Sequence, residues 1–414
     1  MMLKDREYDV LIAGGGPAGA SAAIHLSQKG ARVLVIEQKS FPREKLCGEF
    51  ISPECIAHFE RLGVAEKMMA AGGAPLVETV FYSARGRKVS VPSVWFGEGR
   101  GSALGLSRAE MDARLLKRAR EAGAAVLEET QAHDLIIEKG RVRGLELKSR
   151  EGVSFHASAL VTIDATGRSS ALARHVKGAA VSSSDDSSAR RRLRAPLVAF
   201  KAHLDGAAVE AGHCEIYFYP GGYGGLSSVE NGLSNLCFIT RASDVRERGS
   251  DPSRLMRELV CLNERARLTL RHARAASPWL SVALHGFGRR RVVPAPGLLA
   301  IGDAASFIDP FTGSGMLMAL ESGETAAQVI ARHLERLHAS EAFAELAEDY
   351  RAQYGARFNQ RLRVSSLLRR AAFVPGLAAA AIHLAGTSDR LRQRLARATR
   401  NNAEGRVQSD ELKS

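Results

Sequence analysis

The chain contains 414 residues, of which 45% are hydrophobic and 25% are charged. This length exceeds the size at which a single hydrophobic core stops growing, so we expect one large composite domain or two domains that share an interface. No apolar run approaches the ~18 residues that a membrane-spanning helix requires. We also expect no signal peptide, because the apolar residues 8–13 run into glycines without a cleavage site. The composition therefore excludes a helical integral membrane protein and predicts a cytoplasmic globular protein.

Lysine and arginine total 58 and the acidic residues total 45, which gives a net charge of +13. Such a balance accompanies binding to nucleic acid, to acidic lipid surfaces or to anionic substrates, and it also occurs in chains with solvated basic faces. No zinc-finger spacing and no aromatic-interleaved basic motif accompanies the charge, so we predict no nucleic-acid partner. The five cysteines form neither a Cys-x-x-Cys pair nor a metal-ligand spacing, which predicts reduced thiols, no disulfide and no metal site.

The first predicted elements form a strand–helix–strand unit. Residues 8–13 are a continuous apolar run bounded by glycines, which is typical of a buried parallel strand. Residues 18–29 have the pattern of a helix that ends at Gly30, and residues 31–37 supply a second buried strand. This unit predicts the opening of a dinucleotide-binding fold.

The middle of the chain alternates between further elements of this fold and a break. Ser107 and Glu110 form a capping box for a helix that runs through about Ala122. Two alternating strands follow at 133–149, with a turn near Gly140, and a buried strand covers 160–164. The polar stretch 178–195, which contains the basic run 190–194, predicts a mobile loop or a crossing between domains.

A second region begins after this stretch. Residues 196–287 contain three strand-like segments, which are separated by glycine-rich turns and followed by a helix near 252–266. The chain then returns to a buried strand at 297–301 and to helices at 315–337, 341–371 and 376–399. The predicted fold class is α/β, with a discontinuous Rossmann-like domain (1–80, 103–177 and 288–340), a β-sheet substrate domain (81–102 and 178–287) and a C-terminal helical region (341–414).

The segment Gly14-Gly15-Gly16-Pro17-Ala18-Gly19 is a GxGxxG motif between the first predicted strand and helix. Its glycines permit a tight turn and a close approach of backbone to a pyrophosphate, and the helix N-terminus offers N–H groups. Glu37 ends the next strand, where it can accept hydrogen bonds from a ribose diol and disfavours a 2′-phosphate. These residues predict a site for FAD or NAD rather than NADP.

The second motif lies at 298–320, which reads LLAIGDAASFIDPFTGSGMLMAL. At this point the chain resembles the FAD-dependent superfamily of para-hydroxybenzoate hydroxylase-type monooxygenases, flavin halogenases and geranylgeranyl reductases. The resemblance implies that Asp303 holds the ribityl chain of FAD. It also implies that the helix after the Asp-Pro-x-x-Gly-x-Gly loop points its N-terminus at the flavin pyrimidine ring, where N–H groups stabilise the negative charge of a reduced flavin.

Three other segments match this superfamily in the same order. Phe41–Glu49 resembles the loop beside the isoalloxazine ring, Arg108 with Asp112 resembles the arginine helix near the FAD phosphates, and Asp164–Ser170 resembles the second fingerprint. No second GxGxxG follows, which implies that NADH or NADPH visits only transiently as the reductant. The implied FAD-binding residues are Gly14, Gly16, Pro17, Ala18, Gly19, Glu37, Arg43, Lys45, Cys47, Gly48, Arg108, Asp164, Gly302, Asp303, Pro310, Gly313, Gly315 and Met316.

Three reaction classes stay open within this superfamily. We favour an NAD(P)H-using monooxygenase that hydroxylates or epoxidises a hydrophobic aromatic, polyketide or isoprenoid substrate through a flavin C4a-hydroperoxide. The alternative is a geranylgeranyl reductase-like enzyme that reduces alkene bonds of a prenyl lipid. A flavin halogenase ranks last, because Trp95 and Trp279 stand alone and the Trp-x-Trp-x-Ile-Pro motif is absent.

Two segments resemble the reductases in particular. The loop around Cys47 is similar to the reductase loop in which a cysteine lies at the flavin, so Cys47 is the candidate catalytic residue, although a packing role is the alternative. Tyr219–Gly224 matches their Pro-Gly-Gly-Tyr pattern, but Gly225, Leu226 and Ser227 replace the aromatic residues that follow it there. This departure counts against a long prenyl substrate.

The apolar stretch Phe373–Gly386 is flanked by arginine-rich segments. One interpretation is peripheral contact of residues 367–400 with anionic lipid at the inner face of the membrane. The other is a helix that packs on the FAD domain and exposes a basic face to water. A separate reductase that supplies electrons is a further candidate partner.

Overall fold

The computed structural model describes residues 7–97, 101–176, 197–338, 342–373, 375–398 and 400. The predicted polar loop at 178–195 lies outside the described residues. The strands, in chain order, are β1 (Glu7–Ala13), β2 (Val33–Ile36), β3 (Phe50–Ile51), β4 (Ala74–Leu76), β5 (Glu78–Tyr82), β6 (Lys88–Pro92), β7 (Ala103–Gly105), β8 (Ala125–Leu127), β9 (Thr130–Glu138), β10 (Arg141–Ser149), β11 (Ser154–Asp164), β12 (Leu197–Asp205), β13 (His213–Tyr219), β14 (Gly222–Ser228), β15 (Ser234–Arg241), β16 (Arg274–Ala275), β17 (Leu280–Leu284), β18 (Gly288–Arg289), β19 (Leu298–Ala300) and β20 (Ser306–Phe307).

The α-helices connect and cover these strands. In chain order they are α1 (Pro17–Gln28), α2 (Pro53–Leu62), α3 (Ala65–Met69), α4 (Arg108–Glu121), α5 (Ala171–His175), α6 (Ala242–Arg248), α7 (Pro252–Glu258), α8 (Glu264–Thr269), α9 (Gly315–His333), α10 (Ala342–Ala372), α11 (Pro375–Thr387) and α12 (Asp389–Ala398). Short 3-10 turns include Gly302–Ala304 and Pro310–Thr312.

The first sheet has the strand order β8-β2-β1-β11-β10-β9, and β19 pairs with the end of β11. Strands β8, β2, β1, β11 and β19 run parallel, whereas β9 and β10 form an antiparallel hairpin on the first half of β11. Val10, Leu11, Ile12 and Ala13 of β1 are all buried, as a parallel strand with both faces covered requires. The predicted α/β class with a Rossmann-like domain is therefore confirmed.

The predicted helix after the capping box is α4. The Ser107 hydroxyl accepts a hydrogen bond from the Glu110 N–H at 3.2 Å, which fixes the start of this helix. The first turn therefore begins at Arg108, one of the residues that the sequence assigned to the FAD phosphates.

The second sheet has the order β16-β12-β15-β14-β13-β5-β6, with β17 also paired to β12. Strand β5 spans the boundary that we predicted at residue 80 and pairs wholly within this sheet. Strand β14 lies in a segment that the sequence analysis read as a glycine-rich turn, and that prediction was wrong. Its glycines permit close strand packing, since a Cβ atom on Gly222 would lie 2.0 Å from the Ile239 carbonyl oxygen.

Two predicted helices are each divided in two. The helix expected near 252–266 is α7 and α8, because Asn263 begins a new helix there. The Asn263 side-chain oxygen accepts hydrogen bonds from the N–H groups of Arg265 and Ala266, at 3.0 and 3.1 Å. The helix expected at 376–399 is α11 and α12, which are separated at Ser388.

The largest hydrophobic core lies between the first sheet and helices α1, α4, α9 and α10. A second core fills the space between the second sheet and α7–α8. A third cluster lies on the opposite face of the second sheet and includes Phe218, Tyr223, Phe307 and Ile382. This face, together with α11, encloses the space beside the first sheet in which the candidate site lies.

Candidate functional site

A cavity of about 690 Å³ lies between the two sheets. One end is formed by the glycine loop after β1 and by the ends of other strands of the first sheet. The other end is formed by the second sheet and α11. Of the residues assigned to FAD from the sequence, those that line the cavity are Gly14, Gly16, Pro17, Ala18, Glu37, Arg43, Lys45, Cys47, Gly48, Arg108, Gly302, Asp303, Pro310, Gly313, Gly315 and Met316.

The glycine loop is packed so tightly that it has no room for side chains at two positions. Gly14 has φ +112°, and a Cβ atom there would lie 2.3 Å from the Ala165 carbonyl oxygen. A Cβ atom on Gly19 would lie 1.9 Å from the Gly14 carbonyl oxygen. Gly19 does not line the cavity. Its lack of a side chain instead allows α1 to pack closely against the glycine loop. The tight turn brings the N-terminus of α1 to the cavity, and no side chain caps it.

Glu37 fixes the shape of this end of the cavity. Its carboxylate accepts hydrogen bonds from the Gly15 N–H at 2.9 Å and from the Lys39 N–H at 3.0 Å. The residue is 7% exposed and lies in the cavity wall. A carboxylate that is buried but still borders the cavity is suited to accept hydrogen bonds from ribose hydroxyls.

Two arginines cover the glycine loop. Arg108 donates to both oxygens of the fully buried Asp112, at 2.8 and 2.6 Å, while Arg43 Nη1 lies 3.4 Å from Asp112 Oδ2. Burial lowers the pKa of Arg108, but the Asp112 carboxylate outweighs it and raises that pKa above its ordinary value. A Cβ atom on Gly16 would lie 3.8 Å from Arg43 Nη2 and 3.9 Å from Arg108 Nη2.

These groups fit the pyrophosphate of FAD. Arg43 Nη1 is buried and makes no hydrogen bond among the described residues, although its charge is paired with Asp112 Oδ2 at 3.4 Å. Two fixed guanidinium groups and an uncapped helix N-terminus therefore surround the backbone surface that the glycines leave open, which is the donor set that a pyrophosphate requires.

The loop before α9 forms the opposite wall of the cavity. The Asp309 carboxylate accepts a hydrogen bond from the Phe311 N–H at 3.0 Å, and Gly313 has φ +61°. Helix α9 begins at Gly315 without a side-chain cap, so its first N–H groups are available at the cavity. Burial raises the pKa of Asp303, and the positive charges of Arg168 and Arg108 oppose this rise.

Asp164 does not line the cavity. Its carboxylate accepts hydrogen bonds from the Thr166 N–H at 3.0 Å, from the Thr166 hydroxyl at 2.6 Å and from the Ala173 N–H at 3.1 Å. These bonds shape the loop at 165–169, and that loop borders the cavity. Within this structure Asp164 therefore positions the loop instead of facing the cavity itself.

A buried cluster of charges beside Cys47 was missed by the sequence analysis. Glu49 is fully buried, and its carboxylate accepts hydrogen bonds from Lys201 at 2.9 Å, from His203 at 2.6 Å and from the Arg108 backbone N–H at 2.9 Å. Lys201 also contacts the Glu44 carboxylate. Lys201 and His203, at alternate positions among the apolar residues 197–204 of β12, were the signal in the sequence, because alternate residues share one face of a strand.

Tyr223 was also missed as part of the loop before α9. Its ring packs in the third cluster, and its hydroxyl donates to the Asp309 carboxylate and accepts from the Phe311 N–H at 3.0 Å. Tyr223 lines the cavity, and burial raises its pKa well above the ordinary value. No local pattern links it to Asp309, which lies 86 residues away.

The part of the cavity between the second sheet and α11, which we call the apolar arm, is lined mainly by hydrophobic side chains. They are Phe81, Val89, Val91, Ala199, Ile216, Phe218, Ile239, Leu284, Ala381, Ile382 and Ala385. The C-terminal helix α11 packs over the cavity against β6 and β13 of the second sheet. The interpretation of this stretch as a packed helix had expected it on the FAD domain. Among the described residues, no helix is long and apolar enough to cross a membrane.

Cys47 lies in the cavity wall near Cys237, which also lines the cavity. The Cys47 sulfur accepts a hydrogen bond from the Glu49 N–H at 3.4 Å, and the Arg108 side chain lies nearby. The Cys47 carbonyl accepts from the Asn235 side chain at 3.1 Å. The cysteine is thus held in place from both domains.

The chain is similar in sequence to two reductases and in fold to a flavin-dependent brominase. The chain is 27% identical to digeranylgeranylglycerophospholipid reductase 2 of Methanopyrus kandleri, over 87% of this chain and 86% of that protein. It is 28% identical to menaquinone reductase of Mycobacterium tuberculosis, over 90% of this chain and 87% of that protein. The structure of the flavin-dependent brominase Bmp2 superposes with a TM-score of 0.77 at 20% identity, covering 99% of this chain and all of that chain; this likeness shows the fold alone.

The profile of the FAD binding domain family matches residues 7–361, which is most of the chain. The superfamily resemblance that the motifs predicted is thereby confirmed. Together with the glycine loop, the paired arginines and the uncapped start of α9, this match shows that the protein belongs to the FAD binding domain family and is an FAD-dependent oxidoreductase.

Proposed function

We propose that this protein reduces carbon–carbon double bonds in a hydrophobic, prenyl-type substrate. The observation that carries the proposal is the continuity of the cavity, which passes from the polar FAD end, past Cys47, into the apolar arm. The similarity to two reductases over most of the chain supports the same choice. Hydroxylation or epoxidation, which we favoured from the sequence alone, becomes the second candidate.

The FAD would be held by Arg43, Arg108 and the start of α1 at its pyrophosphate, by Glu37 at its ribose, and by Asp303 and the start of α9 at its flavin half. When bound and reduced, FAD supplies a hydride equivalent. We propose NADH or NADPH as the transient electron donor, with a separate reductase as the alternative source.

The apolar arm would hold the substrate chain and exclude water. Its walls come from the second sheet and from α11, so both the length and the width of the bound chain depend on side chains such as Ile216 and Ile382. Exclusion of water strengthens the electrostatic interactions at the FAD end and prevents loss of the hydride equivalent to solvent. The C-terminal helix therefore has a direct role in forming the binding site.

Reduction of an alkene also requires a proton, and we propose Cys47 as its donor because this cysteine lines the cavity. The double bond receives a hydride at one carbon and the thiol proton at the other, so that the thiol becomes a thiolate. The Glu49 N–H, which donates to the sulfur at 3.4 Å, would donate to this thiolate as well, and the positive charge of Arg108 lies nearby. Proton uptake from water restores the thiol after product leaves.

One feature favours the second candidate. Gly225, which lines the cavity, replaces an aromatic position of the reductase pattern, as do Leu226 and Ser227. A Cβ atom on Gly225 would lie 3.2 Å from Ile216 Cδ1, so this stretch of the wall is formed by an aliphatic side chain in place of an aromatic ring. The loss of that ring counts against a long prenyl chain and leaves a compact aromatic or polyketide substrate as the second candidate. A monooxygenase would use the same FAD and the same electron donor but would consume oxygen.

The two functions are separated by anaerobic turnover. The FAD-loaded protein is reduced chemically without oxygen and is mixed with a geranylgeranyl lipid or a menaquinone. The masses of the products are then measured by mass spectrometry. Alkene reduction adds two hydrogen atoms for each double bond and needs no oxygen. A product that forms only in air and gains one oxygen atom would overturn the reductase proposal and support the monooxygenase.

The role of Cys47 is tested by Cys47→Ser, with Cys237→Ser as the matched control. Both cysteines line the cavity, but burial, with a smaller effect of Cys47, raises the pKa of Cys237 to about 12, so Cys237 is a poor proton donor. Cys47→Ser should lower turnover on the order of 100-fold while FAD stays bound, since a general acid contributes at least that much. Equal activity of the two variants would leave Cys47 a packing residue.

A further inference from the structure

A second cavity, of about 970 Å³, lies on the outside of the FAD-binding domain. Its walls are the tip of the β9–β10 hairpin, residues 289–296 and the first turns of α10. We call it the arginine cavity, because its charged lining residues are Lys139, Arg141, Arg143, Arg289, Arg290, Arg291 and Arg351, opposed only by Glu138 and Glu348. It shares no lining residue with the FAD cavity.

Arg141 is the buried member of this group, with 7% of its surface exposed. Its Nη2 donates to the Leu160 carbonyl at 3.0 Å, and its guanidinium lies 5.3 Å from the centre of the Phe343 ring. Its Nε and Nη1 are buried and have no hydrogen-bond acceptor among the described residues. A buried guanidinium without a counter-charge is costly, so this arrangement calls for an anion.

The other cations of the cavity also lack a carboxylate partner within the described ranges. In the described part of the chain, none of the seven is within ion-pair distance of a carboxylate. Arg289 and Arg290 direct their guanidinium groups away from the cavity, to the Asn359 side chain at 2.7 Å and the Arg168 carbonyl at 2.8 Å, so the cations that remain for a ligand are Lys139, Arg141, Arg143, Arg291 and Arg351. Burial and the charge of Arg143 both lower the pKa of Arg141, and no nearby acid offsets them.

Helix α10 adds to the positive potential of the cavity. Its first turns contribute Phe343, Ala344 and Ala347 to the wall. Because the N-terminus of a helix carries a partial positive charge, this 31-residue helix reinforces the field of the arginines. Three separate features therefore favour a negative ligand at the same place.

We propose that the arginine cavity binds a phosphate group, and that Arg141 is the buried cation whose charge this ligand neutralises. A phosphate offers several acceptor oxygens and a double charge, which match a set of guanidinium groups better than a monovalent ion does. The site is separate from the FAD cavity and does not depend on which reaction the enzyme performs.

The test uses the FAD-loaded protein, so that phosphate cannot occupy the pyrophosphate position in the first cavity. Binding of inorganic phosphate is measured by calorimetry at constant ionic strength, with chloride as the reference anion. The variant Arg143→Gln/Arg291→Gln removes two cations that lie at the surface of the cavity, so it should fold normally. The control Arg271→Gln/Arg274→Gln removes two exposed cations elsewhere.

We expect wild type and the control to bind phosphate and the cavity variant to bind on the order of tenfold more weakly, because charge-assisted contacts are lost. Bound phosphate should also raise Tm by a few degrees in wild type but not in the cavity variant. The comparison between variants removes the general stabilisation that phosphate salts produce by exclusion from protein surfaces. Equal binding by all three proteins, or no binding by any, would overturn the proposal.

Vesicles distinguish the two sources of a phosphate group. Flotation with phosphatidylglycerol vesicles is compared with flotation with phosphatidylcholine vesicles, for wild type and the cavity variant. Binding of phosphate without flotation supports a free, phosphorylated small molecule. Flotation with anionic vesicles that is lost in the cavity variant supports a lipid headgroup. Flotation that is equal in both proteins, without phosphate binding, assigns lipid contact to another surface and overturns the proposal.

Discussion

Replacement of Glu49 by glutamine should be among the most damaging single changes in the molecule. Glu49 and Lys201 are 0% and 1% exposed, and their side chains are 2.9 Å apart. Removal of one partner from a buried ion pair costs about 3–5 kcal/mol, because the other charge stays buried without compensation. Glu44 still contacts Lys201 in this variant, so we expect the low end of that range, about 3 kcal/mol.

The assay is urea unfolding of the apo protein, followed by circular dichroism. Glu44→Gln is the matched control, since Glu44 contacts the same ammonium but its side chain is 40% exposed. We expect Glu44→Gln to lower the free energy of unfolding by less than about 1 kcal/mol, which is the usual contribution of an ion pair with an exposed partner. A loss below 1 kcal/mol for Glu49→Gln, or equal losses for the two variants, would refute the reasoning.

The pH dependence of this effect follows from Lys201. Burial lowers its pKa, but Glu49 and Glu44 outweigh burial and raise it above the ordinary value of 10.5. A raised pKa in the folded state gives stability that is fully present below the unfolded pKa and is lost only as the pH rises through the folded pKa. The free energy of unfolding that wild type gains over Glu49→Gln through the Lys201 ammonium should therefore stay constant from about pH 6 to pH 9.

Two other variants test separate parts of the structure. Gly19→Ala should abolish retention of FAD on purification, because its Cβ atom would lie 1.9 Å from the Gly14 carbonyl oxygen; a normally yellow protein would contradict this. For Glu324, burial raises the pKa, but His58 and Arg61 lower it to about 2 from 4.5. The depressed pKa gives stability that is present above pH 4.5 and is lost as the pH falls towards 2. Acid unfolding should show wild type losing about 3 kcal/mol more than Glu324→Gln over this range, and parallel curves would contradict the assignment.

Much of the fold follows from local patterns. The apolar run of β1, the glycine loop and the capping box of Ser107 each depend on neighbours in the chain, and the structure confirms the elements that they predicted. Strand β14 could not be found in this way. Glycine permits turns and close strand packing equally, and only the approach of the Ile239 carbonyl to Gly222 decides between them.

Local sequence patterns also predicted only part of the candidate site. The motifs predicted which residues border one cavity, because they lie at the ends of parallel strands and at helix starts, where the fold brings ligand-binding groups together. The contacts of Glu49 with Lys201 and of Tyr223 with Asp309 join segments that are far apart in the chain, so their pairing depends on tertiary structure. Asp164 is the opposite case. Its motif is present in the sequence, but its carboxylate accepts hydrogen bonds from Thr166 and Ala173 and does not line the cavity.

We propose that FAD and a hydrophobic substrate share one cavity, with the apolar arm beside the flavin. The most direct measurement is titration of the FAD-loaded protein with a menaquinone or a geranylgeranyl lipid, followed by flavin absorbance. We expect a saturable change in the flavin spectrum, because the arm opens onto the FAD end of the cavity. No change with either ligand, together with a clear change on addition of a small water-soluble phenol, would contradict binding of a hydrophobic chain in the apolar arm.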